Sequence, residues 1–270
     1  MKILGPFLLA TLVACSSHHS SKEKVVVKSL PSTVEDSVLS EYRTTEFKLR
    51  DQYRHPIETL NFFGVKKNMT VVEIWPSGGW YTEILAPLLS ENGKYIIADP
   101  SLEPSDYTKP RLQWMAKYPE ISSKISTVQF APPKATDLAP ESSVDLIVTF
   151  RNVHNWEGDK GKKAAFKAFF KALKPGGVLG VVDHRAHATK RLDPKSGYLK
   201  EKDVIRMAQA AGFKLEAQSE INANPKDTKD YKDGVWTLPP RLRLGDKDRE
   251  KYLAIGESDR MTLKFVKPVK

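Results

Sequence analysis

The chain has 270 residues, with 43 Lys or Arg against 33 Asp or Glu and a formal charge of +10. Its only cysteine, Cys15, excludes an internal disulfide, a Cys-cluster metal site and a cysteine nucleophile in the protein body. The lysines are spread along the chain without a basic stripe interleaved with aromatics. That distribution argues against nucleic acid as a partner and for attraction to an anionic membrane surface.

Lys2 gives a short positive start, and Ile3 to Val13 is an almost unbroken apolar run. The run is too short to span a bilayer and has the form of a secretory signal. The tetrad Leu12-Val13-Ala14-Cys15 resembles the lipobox of bacterial lipoproteins. The resemblance implies cleavage after residue 14, acylation of Cys15, and a flexible polar tether over residues 15–30, in which His18 and His19 are spacers. Ser16 resembles the residue that follows the cysteine in lipoproteins sent to the outer membrane. The expected location is therefore the periplasmic face of that membrane, with the lipid anchor as the membrane contact.

Residues 31–270 read as one α/β domain. A helical preface covers residues 31–66, its helices running from about Val34 to Phe63 and ending at Gly64. Thr70–Ile74 is the first buried strand, and Trp80–Leu89 an amphipathic helix closed by Asn92-Gly93. Lys94–Ala98 is the second strand, and an irregular, partly helical stretch leads to a third at Ile125–Gln129. Val144–Thr149 is the fourth. From Lys160 to Leu173 the spacing of Phe166, Phe169, Phe170 and Leu173 predicts a helix whose opposite face carries Lys162, Lys163, Lys167 and Lys171. Pro175-Gly176-Gly177 stops it before the fifth strand, Val178–Val182. A helix over Glu201–Ala211 precedes strands at Phe213–Glu220 and Met261–Val266. Residues 221–260 form a long excursion between those two strands, which read as an antiparallel pair at one edge. Short apolar strands alternating with helices predict a mostly parallel sheet covered on both faces.

In such a sheet a ligand binds beyond the carboxyl ends of the strands. The first strand leads into Glu73-Ile-Trp-Pro-Ser-Gly-Gly-Trp80, where Gly78 and Gly79 allow a tight turn and the next helix presents backbone N–H groups. The second ends at Asp99, a carboxylate able to accept both hydroxyls of a ribose. The third leads to Asp137, placed to bind an adenine amine. The fourth leads to Phe150-Arg-Asn-Val-His-Asn-Trp156, and the fifth to Asp183-His-Arg-Ala-His187.

These pieces resemble a class I S-adenosylmethionine-dependent methyltransferase from roughly Thr33 to Pro268. The matching pieces are VVEIWPSGGWYTEIL, YIIADP, the Asp137 loop, VDLIVTFRNVHNW, LKPGGVLGVVD, AGFKL and the terminal MTLKFVKP. More narrowly, SEINANPKDTKDYKDGVWTLPP and GESDRM resemble segments of a group of bacterial predicted methyltransferases, often exported. The resemblance implies a Rossmann-like seven-stranded sheet with an antiparallel edge strand, S-adenosylmethionine as cofactor and no metal. One departure stands out: Trp75 occupies a position that is glycine in the family's acidic-x-Gly-x-Gly-x-Gly motif. Either Pro76-Ser77-Gly78-Gly79 forms the cradle by another path, or cofactor binding is weakened.

On this reading Glu73, Ser77, Gly78, Gly79, Asp99, Asp137, Arg151 and Asn152 are the cofactor-binding candidates. His154 is the first candidate for a general base and His184 the second, since histidine titrates near pH 6.5. Trp156, Tyr198, Asn222, Asn224 and Trp236 are candidates for the acceptor pocket. The expected activity is methyl transfer, by in-line displacement, to a small molecule or an envelope component. A lipid-anchored binding protein without catalysis and an NAD-dependent oxidoreductase are the alternatives.

Overall fold

A computed structural model of the chain describes residues 29–156 and 158–269. Residues 1–14, Cys15 and most of the tether lie outside the described residues. In chain order the helical preface comprises α1 (Val34–Leu39), α2 (Thr45–Lys48), α3 (Asp51–Arg54) and α4 (Pro56–Phe63). Then follow β1 (Thr70–Ile74), α5 (Thr82–Leu89), β2 (Lys94–Asp99), α6 (Lys109–Lys117), α7 (Pro119–Ser122) and β3 (Ile125–Gln129). The second half comprises β4 (Val144–Phe150), α8 (Gly158–Ala172), β5 (Leu173–His184), α9 (Glu201–Ala210), β6 (Lys214–Ser219), α10 (Arg249–Ile255) and β7 (Arg260–Val266).

The strands form one seven-stranded sheet in the order β3-β2-β1-β4-β5-β7-β6. The strands from β3 to β5 are parallel, whereas β7 runs antiparallel to both β5 and β6. This is the Rossmann-like methyltransferase fold, with the antiparallel pair at the edge where the sequence places it. Both faces are covered, so β1 is apolar on both sides. Val71 packs with Ile84, Leu85 and Leu89 of α5, while Val72 and Ile74 join the Phe166 and Phe169 side of α8. Gly180 in β5 is required by that packing. A Cβ there would lie 2.7 Å from the Phe63 ring of α4, so the preface docks on the sheet only over a bare backbone. Lys174 to Gly177 ends α8 as expected but belongs to a longer β5, with an irregularity in register against β4.

Local pairing holds the excursion in place. Tyr198 donates to Asp227 at 2.9 Å, and Asp227 also accepts the Asp259 N–H at 2.7 Å. A 3-10 turn at Gly234–Thr237 then brings its chain back over the sheet. Among the described residues no helix is long and apolar enough to cross a membrane.

Candidate functional site

The topological switch point lies beside β1, whose neighbours are β2 on one side and β4 on the other. A cavity of about 800 Å³ opens there. Its floor is the loop after β1, from Glu73 to Gly78, together with Asp99, Phe150, Arg151, Asn152, His154 and His184 at the ends of the other strands. Its roof comes from the 105–110 segment and from Val235 to Arg243 of the excursion.

The loop after β1 explains how Trp75 is accommodated. Trp75 adopts the left-handed conformation (φ 49°) otherwise left to glycine, and so does Ser77 (φ 53°). The Trp75 indole N–H donates to the Phe130 carbonyl at 2.7 Å, which anchors the ring at the end of β3. The turn closes through Gly79 N–H to the Pro76 carbonyl at 2.9 Å. Arg151 (φ 63°) at the end of β4 is a third non-glycine residue held left-handed at the rim. Such backbone strain collects where surrounding structure fixes a functional geometry. Asn152 braces the same loop, donating to the Ile74 carbonyl at 2.7 Å.

Glu73 is 2% exposed, and its Oε2 accepts from the Tyr95 and Thr82 hydroxyls. Burial pushes its carboxyl up to about 7, against the opposing pull of the two hydroxyls. Between pH 4.5 and 7 the folded protein therefore holds a proton that the unfolded chain has released. Stability falls as pH rises through that window, by up to about 3 kcal/mol. Glu73→Gln is expected to abolish this fall. Urea unfolding of both proteins at pH 4.5 and pH 8 should show the difference in stability shifting toward the variant by about that amount.

Asp99 is buried, and both its oxygens accept from the Arg111 guanidinium of α6. Arg111 also lies against Gly79, where a Cβ would come within 2.8 Å of its Cγ. Gly79 thus supports α6 and does not line the cavity. Asp99 lines the cavity and each of its oxygens has a second lone pair beyond the one given to Arg111, so the carboxylate can still accept from a ribose.

A second constellation sits across the cavity. Asp183 is fully buried and accepts three N–H groups: Val153 N at 2.8 Å, His184 N at 2.7 Å and His154 Nδ1 at 2.8 Å. That arrangement places the His154 proton on Nδ1 and leaves Nε2 as an acceptor, the geometry of an oriented general base. The His184 ring lies tilted beside it, with ring centroids 5.1 Å apart, and its Nδ1 pairs with Ser258 Oγ at 2.5 Å. Burial holds the His184 imidazole well below its usual range, reinforced by His154 and the nearby arginines. It stays neutral and is a poor proton acceptor, which corrects the reading of His184 as a base. His154, Asp183 and His184 also offer three ligand atoms within 4.8 Å, but the Nδ1 atoms of both histidines are engaged by Asp183 and Ser258.

Five further expectations are corrected. The Asp137 side chain is 98% exposed and meets Lys171 at 3.8 Å, and it is not among the residues lining the cavity. Trp156 is core, edge-on to Phe166 and Phe169. Tyr198 is committed to Asp227. Asn222 ties Thr59 to Thr262, and Asn224 donates to the carbonyls of Ile255 and Glu257. Trp236 does line the cavity, with the Arg243 guanidinium 4.8 Å over its ring. The residues that the sequence did not point to are Arg50, Arg54 and Arg260, which line the cavity, and Asp183 as the partner of His154. An acidic residue just after a buried strand was the available signal for Asp183.

Neither a protein-family model nor a curated protein sequence matches the chain. Solved structures do. A SAM-dependent methyltransferase from Aquifex aeolicus is 16% identical with a TM-score of 0.55, covering 83% of this chain and 97% of its own. The fold is that of S-adenosylmethionine-dependent methyltransferases. Phosphoethanolamine N-methyltransferase 2 of Haemonchus contortus, in complex with S-adenosyl-L-methionine, is 15% identical with a TM-score of 0.56, over 87% of this chain and 60% of its own. The [4+2]-cyclase SpnF is 14% identical with the same TM-score of 0.56, over 86% of each chain. The fold therefore also carries chemistry other than methyl transfer, and the site has to decide the reaction.

Proposed function

We propose that the chain is an S-adenosylmethionine-dependent methyltransferase that uses His154 as its general base. The observation that carries this reading is the Asp183–His154 pair, oriented across the cavity from the loop after β1. The residues present fit the cofactor. Glu73 is a buried carboxylate suited to an ammonium group, Ser77 and Gly78 leave backbone open to the cavity, and Asp99 offers lone pairs to a ribose. When bound, S-adenosylmethionine supplies a methyl group already activated on a sulfonium. The chain's own work is then alignment and proton removal. His154 Nε2 takes the proton of the acceptor's nucleophile, and Asp183 holds the imidazole in the required tautomer while it becomes charged. The 105–110 segment and Val235 to Arg243 cover the cavity and limit water.

Calorimetric titration of the full chain with S-adenosylhomocysteine tests the reading. Saturable binding is expected, weakened about ten- to hundredfold in Asp99→Asn. Absence of binding to the folded protein overturns it. We also propose that acylated Cys15 holds the enzyme at the envelope membrane and that the acceptor is a small molecule or an envelope component. Palmitate labelling of the wild type but not of Cys15→Ala is the expected outcome.

A further inference from the structure

Arg50, Arg54, Arg151 and Arg260 all line the cavity. Arg50, just before α3, and Arg54, at its end, share the cavity wall with Arg260 of β7 and Arg151, which follows β4. Glu257 is the carboxylate they share. It lies 2.6 Å from Arg50 and 3.6 Å from Arg54, and it pairs closely with Arg260. Asp183, the next carboxylate felt by Arg151, is already committed to three N–H donors. Asp259, adjacent in sequence to Arg260, is tied to Arg185 and Lys229. Four guanidinium groups thus face two carboxylates even when Asp183 is counted.

These cations are also desolvated and under-bonded. Arg54 is 3% exposed and Arg260 2%. Arg54 Nη2 and Arg260 Nε are buried without a hydrogen-bond partner among the described residues. No hydrogen bond or ion pair joins the Arg151 guanidinium to a described residue. Buried charges of one sign in excess of their partners are expensive, and planar guanidinium forks are the usual receptors for oxyanions. S-adenosylmethionine does not balance them. It carries an ammonium and a sulfonium against one carboxylate, so its arrival adds positive charge to the cavity.

We propose that Arg54, Arg151 and Arg260 form an oxyanion subsite for the methyl acceptor, which therefore carries a phosphate or carboxylate group. This deepens the methyltransferase reading and rests on it only for the word acceptor. The anion docks on the arginines, and the nucleophilic atom of the same molecule reaches His154 on the adjoining wall. Fixing one end of the acceptor aligns the other, which is most of what methyl transfer asks of the protein.

The test is calorimetric titration of the full chain with inorganic phosphate and, separately, acetate, each with and without saturating S-adenosylhomocysteine. Saturable binding of at least one anion is expected with S-adenosylhomocysteine present. The stronger of the two identifies the group as phosphate or carboxylate. Arg54→Gln and Arg151→Asn are each expected to weaken that binding at least tenfold. Asn suits the left-handed backbone at 151, and both changes relieve repulsion, so both variants should melt no lower than the wild type. Anion binding only in the absence of S-adenosylhomocysteine would overturn the proposal, because the cofactor's own carboxylate would then fill the site. So would no saturable binding of either anion, or unchanged affinity in the folded variants. Failure of S-adenosylhomocysteine to bind would instead overturn the methyltransferase reading. Arginine-dependent phosphate binding in that case would still assign the subsite to an oxyanion.

Discussion

Glu257→Gln is expected to destabilise the protein by about 3–5 kcal/mol at pH 7, a large fraction of the stability of a domain. Glu257 is 2% exposed and holds Arg50, Arg54 and Arg260 together. Glutamine keeps the shape but removes the charge and turns one of the two accepting oxygens into an NH₂ donor, so the buried guanidinium groups repel with less to offset them. Burial alone would push the Glu257 carboxyl up, but Arg260, Arg54 and Arg50 together hold it well below its ordinary range. The stabilisation it gives is therefore fully present above its ordinary value of 4.5 and is lost only as pH falls toward the depressed value. Chemical unfolding at pH 7 and at pH 3 separates this charge effect from a loss of packing. The gap between wild type and variant should be widest at pH 7 and narrow on acidification. Added phosphate should raise the melting temperature of the variant more than that of the wild type, since a bound anion replaces part of the missing charge. A variant as stable as the wild type at pH 7 would show that the arginines are balanced by something other than Glu257.

That cluster also shows where sequence reading ends. The strands were legible because their chemistry is local: Thr70–Ile74 and Val144–Phe150 are dominated by Val, Ile, Leu and Phe, with Glu73 and Asp145 as their charged residues, as suits strands covered on both faces. Helix α8 was legible because Phe166 and Phe169 repeat on one face while Lys163 and Lys167 stay exposed. Glu73, Asp99 and His154 were legible because each ends or follows a strand at the edge where ligands bind. The arginine cluster has no such local signature. Arg50 and Glu257 meet across 207 positions, joined only because the preface and the end of the excursion dock on the same side of β7. The candidates that moved into structural roles share the opposite fault. Tyr198, Asn222 and Asn224 have the polar, loop-borne look of binding residues, yet their hydrogen bonds are spent holding the excursion in place. Trp75 was read as an obstacle because glycine is freer there. Its side chain turns aside to Phe130, and its backbone takes the glycine-like conformation at a cost that the packed ring offsets.

Asp183→Asn is expected to lower methyl transfer by about 10²- to 10⁴-fold while leaving S-adenosylhomocysteine affinity unchanged. Three N–H groups converge on the Asp183 carboxylate, from Val153, His184 and the His154 ring. Val153 N–H bonds Oδ2 while His184 N–H and the His154 ring share Oδ1, so an asparagine amide oxygen set at the Oδ2 position keeps Val153 and turns its NH₂ group toward His184 N–H and His154. The imidazole answers by accepting at Nδ1 and carrying its proton on Nε2, which turns the nitrogen facing the cavity from an acceptor into a donor. The side chain stays in place, but it no longer has a lone pair for the acceptor's proton. Nitrogen-15 NMR of His154 reads this change directly, as Nε2 moves from unprotonated in the wild type to protonated in the variant. Transfer of a labelled methyl group from S-adenosylmethionine to a cell-envelope extract reads the loss of activity. His154→Gln should match that loss without disturbing Asp183's two backbone contacts, so agreement between the two variants locates the defect at Nε2 and not in a distorted loop. A folded Asp183→Asn protein whose His154 Nε2 becomes protonated but whose rate stays at the wild-type value would remove His154 as the base. The proton would then have to leave through solvent at the open side of the cavity, because the neighbouring His184 is held neutral by its burial among the arginines.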